Sequence, residues 1–167
     1  YNGTPVQTIS ILDGIKTKLP EESIFYDKGC DLIEDKVTVS YFDKLSIDGH
    51  KGIKATYWNN RNLSGDVVTV QQITDPIKKS VAGQHEFASG VNLEAFSARF
   101  ETEFTPTVTE ELVFNAGATG SFDLLVNGQS IKKYNNWRTL LSRIPYTFEA
   151  GKKYTIEVRY AQSENWQ

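Results

Sequence analysis

Between Phe96 and Phe104 the chain alternates with a period of two: Phe96, Ala98, Phe100, Thr102 and Phe104 share one face, and Ser97, Arg99, Glu101 and Glu103 take the other. Successive strand side chains point to opposite sides of a sheet, so the pattern predicts a strand with an aromatic face in a core and a charged face in water. Such a strand needs neighbours. From Gly49-His50-Lys51-Gly52 onward, short alternating runs are punctuated by Gly, Asn and Pro at intervals of about 8 to 14 residues. That rhythm predicts a mainly β chain, an antiparallel β-sandwich or barrel.

Turn chemistry refines the expectation. Phe122, Leu124 and Val126 run into Asn127-Gly128, the pair best suited to a type I′ hairpin because both central residues need positive φ, with Ile131 on the return strand. Tyr154, Ile156, Val158 and Tyr160 alternate with Thr155, Glu157 and Arg159. They follow Tyr146-Thr147-Phe148 through Ala150-Gly151-Lys152-Lys153, which predicts a second hairpin. Gly117-Ala118-Thr119-Gly120 lacks the Lys and the following helix of a phosphate loop and reads as a loop between strands.

The first 45 residues have another character. Ile9, Leu12, Ile15 and Leu19 fall on one helical stripe, so a short helix is expected from Thr8 to Leu19, between Pro5 and Pro20. Ser23-Ile24-Phe25-Tyr26 then reads as a brief strand ended by Asp27-Lys28-Gly29. Helix then strand is half of an α/β unit, which cannot cover both faces of a parallel strand, so the segment reads as partial. The sequence contains no methionine and opens on Tyr1-Asn2-Gly3-Thr4-Pro5, so the chain is expected to come from inside a longer one.

Several function classes are excluded. The net charge of −3 arises from interspersed acids and bases, without the basic footprint that phosphate backbones demand, so no nucleic-acid partner is expected. No apolar run approaches the roughly 20 residues that cross a bilayer, and no membrane partner is expected. Cys30 is the only cysteine, which precludes an internal disulfide. His50 and His85 are the only histidines and lack metal-chelating spacing, so neither metal nor cofactor is expected.

Glu101 and Glu103 are separated by about 6.5 to 7 Å on a strand, within the range of an inverting glycosidase pair. They face the same way rather than flanking a sugar, and are read as a solvated sheet face. Glu21-Glu22 and Glu110-Glu111 sit in turn-like contexts, and Gly-x-Ser-x-Gly is absent. No catalytic residue is assigned.

Two segments have binding chemistry. Tyr57-Trp58-Asn59-Asn60-Arg61-Asn62 and Tyr134-Asn135-Asn136-Trp137-Arg138 each join flat apolar rings to amides and a guanidinium. A pyranose stacks its C–H face on an aromatic ring and needs fixed donors and acceptors for its hydroxyls. The candidate carbohydrate-binding residues are therefore Trp58, Asn60, Arg61, Tyr134, Asn136, Trp137 and Arg138. In the competing reading, Tyr57, Trp58 and Trp137 are core residues and the asparagines serve turns. Asn2-Gly3-Thr4 and Asn62-Leu63-Ser64 match the glycosylation acceptor pattern.

Residues from about Gly52 to Trp166 resemble the protective-antigen-type β-sandwich domain, PA-14 for short. The resemblance rests on Gly52-Ile53-Lys54-Ala55-Thr56-Tyr57-Trp58, Asn62-Leu63-Ser64-Gly65, Phe96-Ser97-Ala98-Arg99-Phe100, Phe114 onward to Val126-Asn127-Gly128, Asn136-Trp137 and Ala150-Gly151-Lys152-Lys153-Tyr154. It implies a glycan-associated role, since such domains bind carbohydrate or gate substrate access in glycosidases, adhesins and toxins. Adhesin members hold calcium with paired aspartates where this chain has Ala118-Thr119, so calcium-dependent lectin activity is not implied. Phe100 stands where many members place Trp, an exchange of one large core aromatic for another.

Tyr1-Asn2-Gly3-Thr4-Pro5, Leu12-Asp13-Gly14-Ile15 and Tyr26-Asp27-Lys28-Gly29-Cys30 resemble the α/β-sandwich domain of family-three glycoside hydrolases, which include β-glucosidases and β-xylosidases. Some members carry a protective-antigen-type insertion inside that domain. The resemblances imply a hydrolase fragment over residues 1–45 and a β-sandwich over residues 52–167. They imply a non-catalytic accessory module of a β-glycosidase, partnered by an oligosaccharide or glycoside and by the parent's remaining domains, in the periplasm or outside the cell. The alternative is a structural or protein-interaction domain that binds no sugar.

Overall fold

The computed structural model describes residues 10–20, 23–24, 39–79 and 84–162. Two compact units separate between Val39 and Ser40. In the first, helix α1 spans Ile11–Lys16, capped where Asp13 N–H donates to Ser10 Oγ at 3.1 Å. It is shorter than the stripe suggests, ending at Thr17, with Ile11 and Leu19 exposed. Ser23 N–H donates to the Pro20 carbonyl at 2.9 Å, and of the strand expected over Ser23–Tyr26, Phe25 and Tyr26 lie outside the described residues, as do Thr8 and Ile9 of the expected helix.

The second unit is antiparallel β. A 3₁₀ turn at Phe42–Lys44 precedes β1 (Ser46–Ile47), β2 (His50–Lys51), β3 (Ile53–Trp58), β4 (Thr69–Ile73), β5 (Glu86–Ala88), β6 (Val91–Asn92), β7 (Ser97–Phe104), β8 (Glu110–Val126), β9 (Gln129–Phe148) and β10 (Tyr154–Ala161). The main sheet runs β2-β1-β7-β10-β8-β9, with β3 paired to β7 and to β4; β5 and β6 form a separate pair. The order ends at β9 without closing into a barrel. Tyr41 and Leu45 pack into this unit's core, so residues 40–45 build with the sheet.

The alternation at residues 96–104 dictates the geometry. Phe100 stands opposite Ala55 on one side and Val158 on the other, and Phe104 opposite Tyr154. One sheet face thus collects Ala55, Tyr57, Ala98, Phe100, Phe104, Phe122, Leu124, Val126 and Tyr154, all buried. Removing the larger of these aliphatic and phenyl side chains from water contributes about 1.5–3 kcal/mol each. Phe87, Ala88 and Val91 pack on its Tyr57–Phe100 end.

The other end is covered by the β8–β9 ribbon itself. Phe114 and Phe148, from its far half, pack with Phe104, Val126 and Tyr154, and Ile144 packs with Phe122 and Leu124 from its near half. A single long ribbon therefore supplies strands to the sheet and a layer across it, the strand-switching device of sandwiches.

Asn127 (φ 50°) and Gly128 (φ 78°) form the type I′ turn joining β8 to β9, as their chemistry predicts. The second expected hairpin is corrected. The Ala150–Lys153 turn exists, but β10 does not pair with β9. It inserts between β7 and β8, because β9 is already paired along β8 while β8 and β7 each offer an open edge. Gly117–Gly120 is likewise no loop; it lies inside β8, where the register shifts between Ala118 and Gly120.

Candidate functional site

The two aromatic and amide segments meet different fates. Trp58 ends β3 and is 4% exposed, with the Arg99 guanidinium 5.4 Å from its ring centre. Asn60 Nδ2 donates to the Ser64 carbonyl at 2.7 Å, and its Oδ1 accepts from Asn62 N–H at 2.9 Å. Arg61 donates through Nε to the Gln162 carbonyl at 3.1 Å and through an Nη to the Glu94 carbonyl at 2.6 Å. Asn59 ties to Gly90 and Asn92 in the same manner. The amides of Asn59 and Asn60 and the Arg61 guanidinium are thus held by backbone groups, and the indole offers no open face.

Neighbouring Tyr57 is fully buried, its ring set edge-on to Phe100 at 6.1 Å. Its hydroxyl finds no partner among the described residues, and burial pushes it up to about 12.

The second segment sits on edge strand β9. Ala118 pairs with Leu140 and Gly120 with Asn136, so Trp137, Arg138 and Thr139 stand opposite Thr119 alone. This is a bulge, and Gly120 (φ 92°) supplies the backbone angle that β8 needs there. Tyr134 braces it. Its ring stacks on Phe122 at 4.9 Å and 17°, while its hydroxyl accepts from Ala118 N–H at 3.2 Å and donates to the Leu140 carbonyl at 3.3 Å. Burial raises the hydroxyl's pKa, and the Ala118 bond works the other way. Asn136 Oδ1 accepts from Arg138 N–H at 3.3 Å, folding the bulge back on itself.

The bulge displays Trp137, which is 63% exposed, with the Arg138 guanidinium 4.1 Å from its ring centre. The structure thus brings Tyr134, Asn136, Trp137 and Arg138 into one feature and leaves Trp58, Asn60 and Arg61 in another that is internally committed. Sequence reasoning missed exposed Leu141 and the charge bias of β9. Gln129–Phe148 holds Lys132, Lys133, Arg138 and Arg143 and no Asp or Glu, a signal visible in the sequence but averaged out over the whole chain.

The carboxylates are occupied structurally. Glu103 pairs with Lys153 at 2.8 Å, Glu157 with Arg159 at 2.7 Å, and Glu101 lies 3.5 Å from Arg99. Both oxygens of Glu110 accept from the Tyr41 hydroxyl at 2.9 Å, a bond that raises the Tyr41 pKa. No group of three or more potential metal ligands gathers among the described residues. A shallow cleft along Gln71–Lys79 involves none of the candidate residues.

A model of the PA14 domain family matches residues 49–167. A xylan 1,4-β-xylosidase from Xylanibacter ruminicola is 40% identical over 168 residues, which cover 99% of this chain and 19% of that protein. The chain therefore spans about a fifth of the length of that curated relative. Among solved structures, a β-glucosidase from Kluyveromyces marxianus is similar at 14% identity and a TM-score of 0.52, over 69% of this chain and 15% of that one. An anti-sigma factor domain-containing protein is similar at 24% identity and a TM-score of 0.56, over 67% and 38%. These two likenesses concern the fold. With the family model spanning β3 to β10 and the sheet built across that stretch, the chain belongs to the PA14 domain family.

Proposed function

We propose that this chain is a non-catalytic, carbohydrate-associated accessory module of a β-glycosidase, which binds glycans or shapes substrate access beside the parent's active site. One observation carries the reading: the 40% identity to a xylan 1,4-β-xylosidase extends over 99% of the chain, beyond the residues matched by the family model. Trp137, with Asn136 and Arg138 beside it, supplies the chemistry through which a sugar ring would be engaged, by C–H stacking and hydrogen bonds to hydroxyls. We propose further that the parent works in the periplasm or outside the cell.

Calorimetric titration of the chain with xylo- and gluco-oligosaccharides tests the proposal. Saturable binding that Trp137→Ala removes while the far-UV spectrum and melting temperature hold is the expected result. If no glycan binds, and Trp137→Ala leaves the parent's KM for oligosaccharides unchanged, the carbohydrate role is rejected.

A second reading, a structural or protein-interaction domain, draws on Leu141, which is 83% exposed on the same strand. It predicts self-association or capture of a partner domain that Leu141→Ser abolishes and Trp137→Ala does not.

A further inference from the structure

Resting on the glycan-binding reading, we infer that the Trp137–Arg138 bulge selects oligosaccharides that carry a carboxylate, such as a uronic acid branch. The inference starts from a cation without an anion. Among the described residues, Lys51, Lys54, Arg99, Lys133, Lys152, Lys153 and Arg159 each lie within ion-pair distance of a carboxylate. Arg138 does not, and neither do Lys132 and Arg143 on the same strand, but of these three only Arg138 is set against an exposed aromatic ring, and no hydrogen bond among the described residues engages its side chain. Its contact is the Trp137 ring at 4.1 Å, which consumes none of its guanidinium N–H donors.

The setting strengthens the point. The bulge interrupts a strand of 20 residues that holds four bases and no acid, so no fixed negative charge on β9 competes for the guanidinium. A planar fork of N–H donors matches a carboxylate in a bidentate manner, which a neutral hydroxyl cannot do. The adjoining indole supplies the apolar surface for the ring bearing that carboxylate. Tyr134, which precedes the bulge and bonds to the Ala118–Leu140 pair beyond it, fixes the backbone from which both side chains project.

The probes are a xylo-oligosaccharide with a glucuronic acid branch, its carboxyl-reduced counterpart and the unbranched oligosaccharide, each titrated into the chain. At about 20 mM salt the acidic ligand is expected to bind about fivefold more tightly than its reduced form. The advantage should shrink toward unity at about 0.5 M, where the Debye length falls below ~5 Å. Arg138→Gln abolishes the advantage, weakening the acidic ligand by a larger factor than the reduced and unbranched ones, whereas Trp137→Ala weakens all three by a similar factor. Equal binding of the acidic and reduced forms, or a loss on Arg138→Gln that is the same for every ligand, overturns the selectivity while leaving glycan binding intact. If none of the three binds to the folded chain, the inference and the reading beneath it fall together.

Discussion

Tyr57–Asn62 and Tyr134–Arg138 are built from the same residue types, two aromatic rings, asparagines and an arginine, yet one is interior scaffolding and the other a surface display. The difference lies in where each strand sits. β3 has partners on both sides, β4 and β7, so the residues at and beyond its end close over the sheet's rim. There the backbone carbonyls of Ser64, Gly90, Glu94 and Gln162 need donors, and Asn59, Asn60 and Arg61 supply them. β9 is an edge strand paired only to β8, and its bulge lifts Trp137 and Arg138 out of the ladder. The same chemistry is consumed by the fold in one place and left available in the other.

The sharpest way to break this contrast is to truncate both tryptophans. Trp58→Ala is expected to cost about 3–5 kcal/mol in urea denaturation, because a buried indole leaves a cavity. Removing the arginines comes next. Arg61→Ala should cost about 1.5–3 kcal/mol, since two charge-assisted bonds to carbonyls are lost, whereas Arg138→Ala should stay within about 0.5 kcal/mol. An equal loss at both sites would show that Arg138 is structural after all.

The tyrosines separate by pH. Tyr57 titrates at about 12 in the folded chain against 10.0 unfolded, so its contribution is complete below pH 10 and is lost as pH rises through 12. Tyr57→Phe should flatten the fall in stability over that window and change it little at pH 7. Tyr134→Phe should flatten it less, because the Ala118 N–H opposes the shift at Tyr134. The smallest effect belongs to Trp137→Ala, which is expected to change stability by no more than about 0.5 kcal/mol while removing glycan binding.

What could be read in the sequence was local. The alternation of β7 and β10 and the Asn127-Gly128 turn emerge where expected, because a period-two pattern and a pair of positive φ angles are decided within a few residues. The placement of β10 between β7 and β8 was not readable, since sheet order depends on which edges are left open by distant pairings. Gly117–Gly120 looked like a loop for a related reason: small residues that serve a bulge in a long ribbon resemble those that serve a turn. Of the candidate site, residue chemistry was legible and availability was not. Trp58 and Trp137 differ in burial because of their strands' neighbours, and neither their own flanking residues nor composition records that.

The insertion of β10 also sets an order of events during synthesis. Tyr154–Ala161 bonds to β7 and to β8, so those two strands cannot be joined until nearly the whole unit has been made. While the ribosome is still adding residues, β7 and β8 present unpaired edges with aromatic faces, the surface most prone to pairing with another chain. Consolidation must then wait for contacts distant in sequence, a slow class of folding reaction. Shortening the chain before Tyr154 would therefore leave two halves of a sheet with no strand to pair them, rather than a slightly smaller domain.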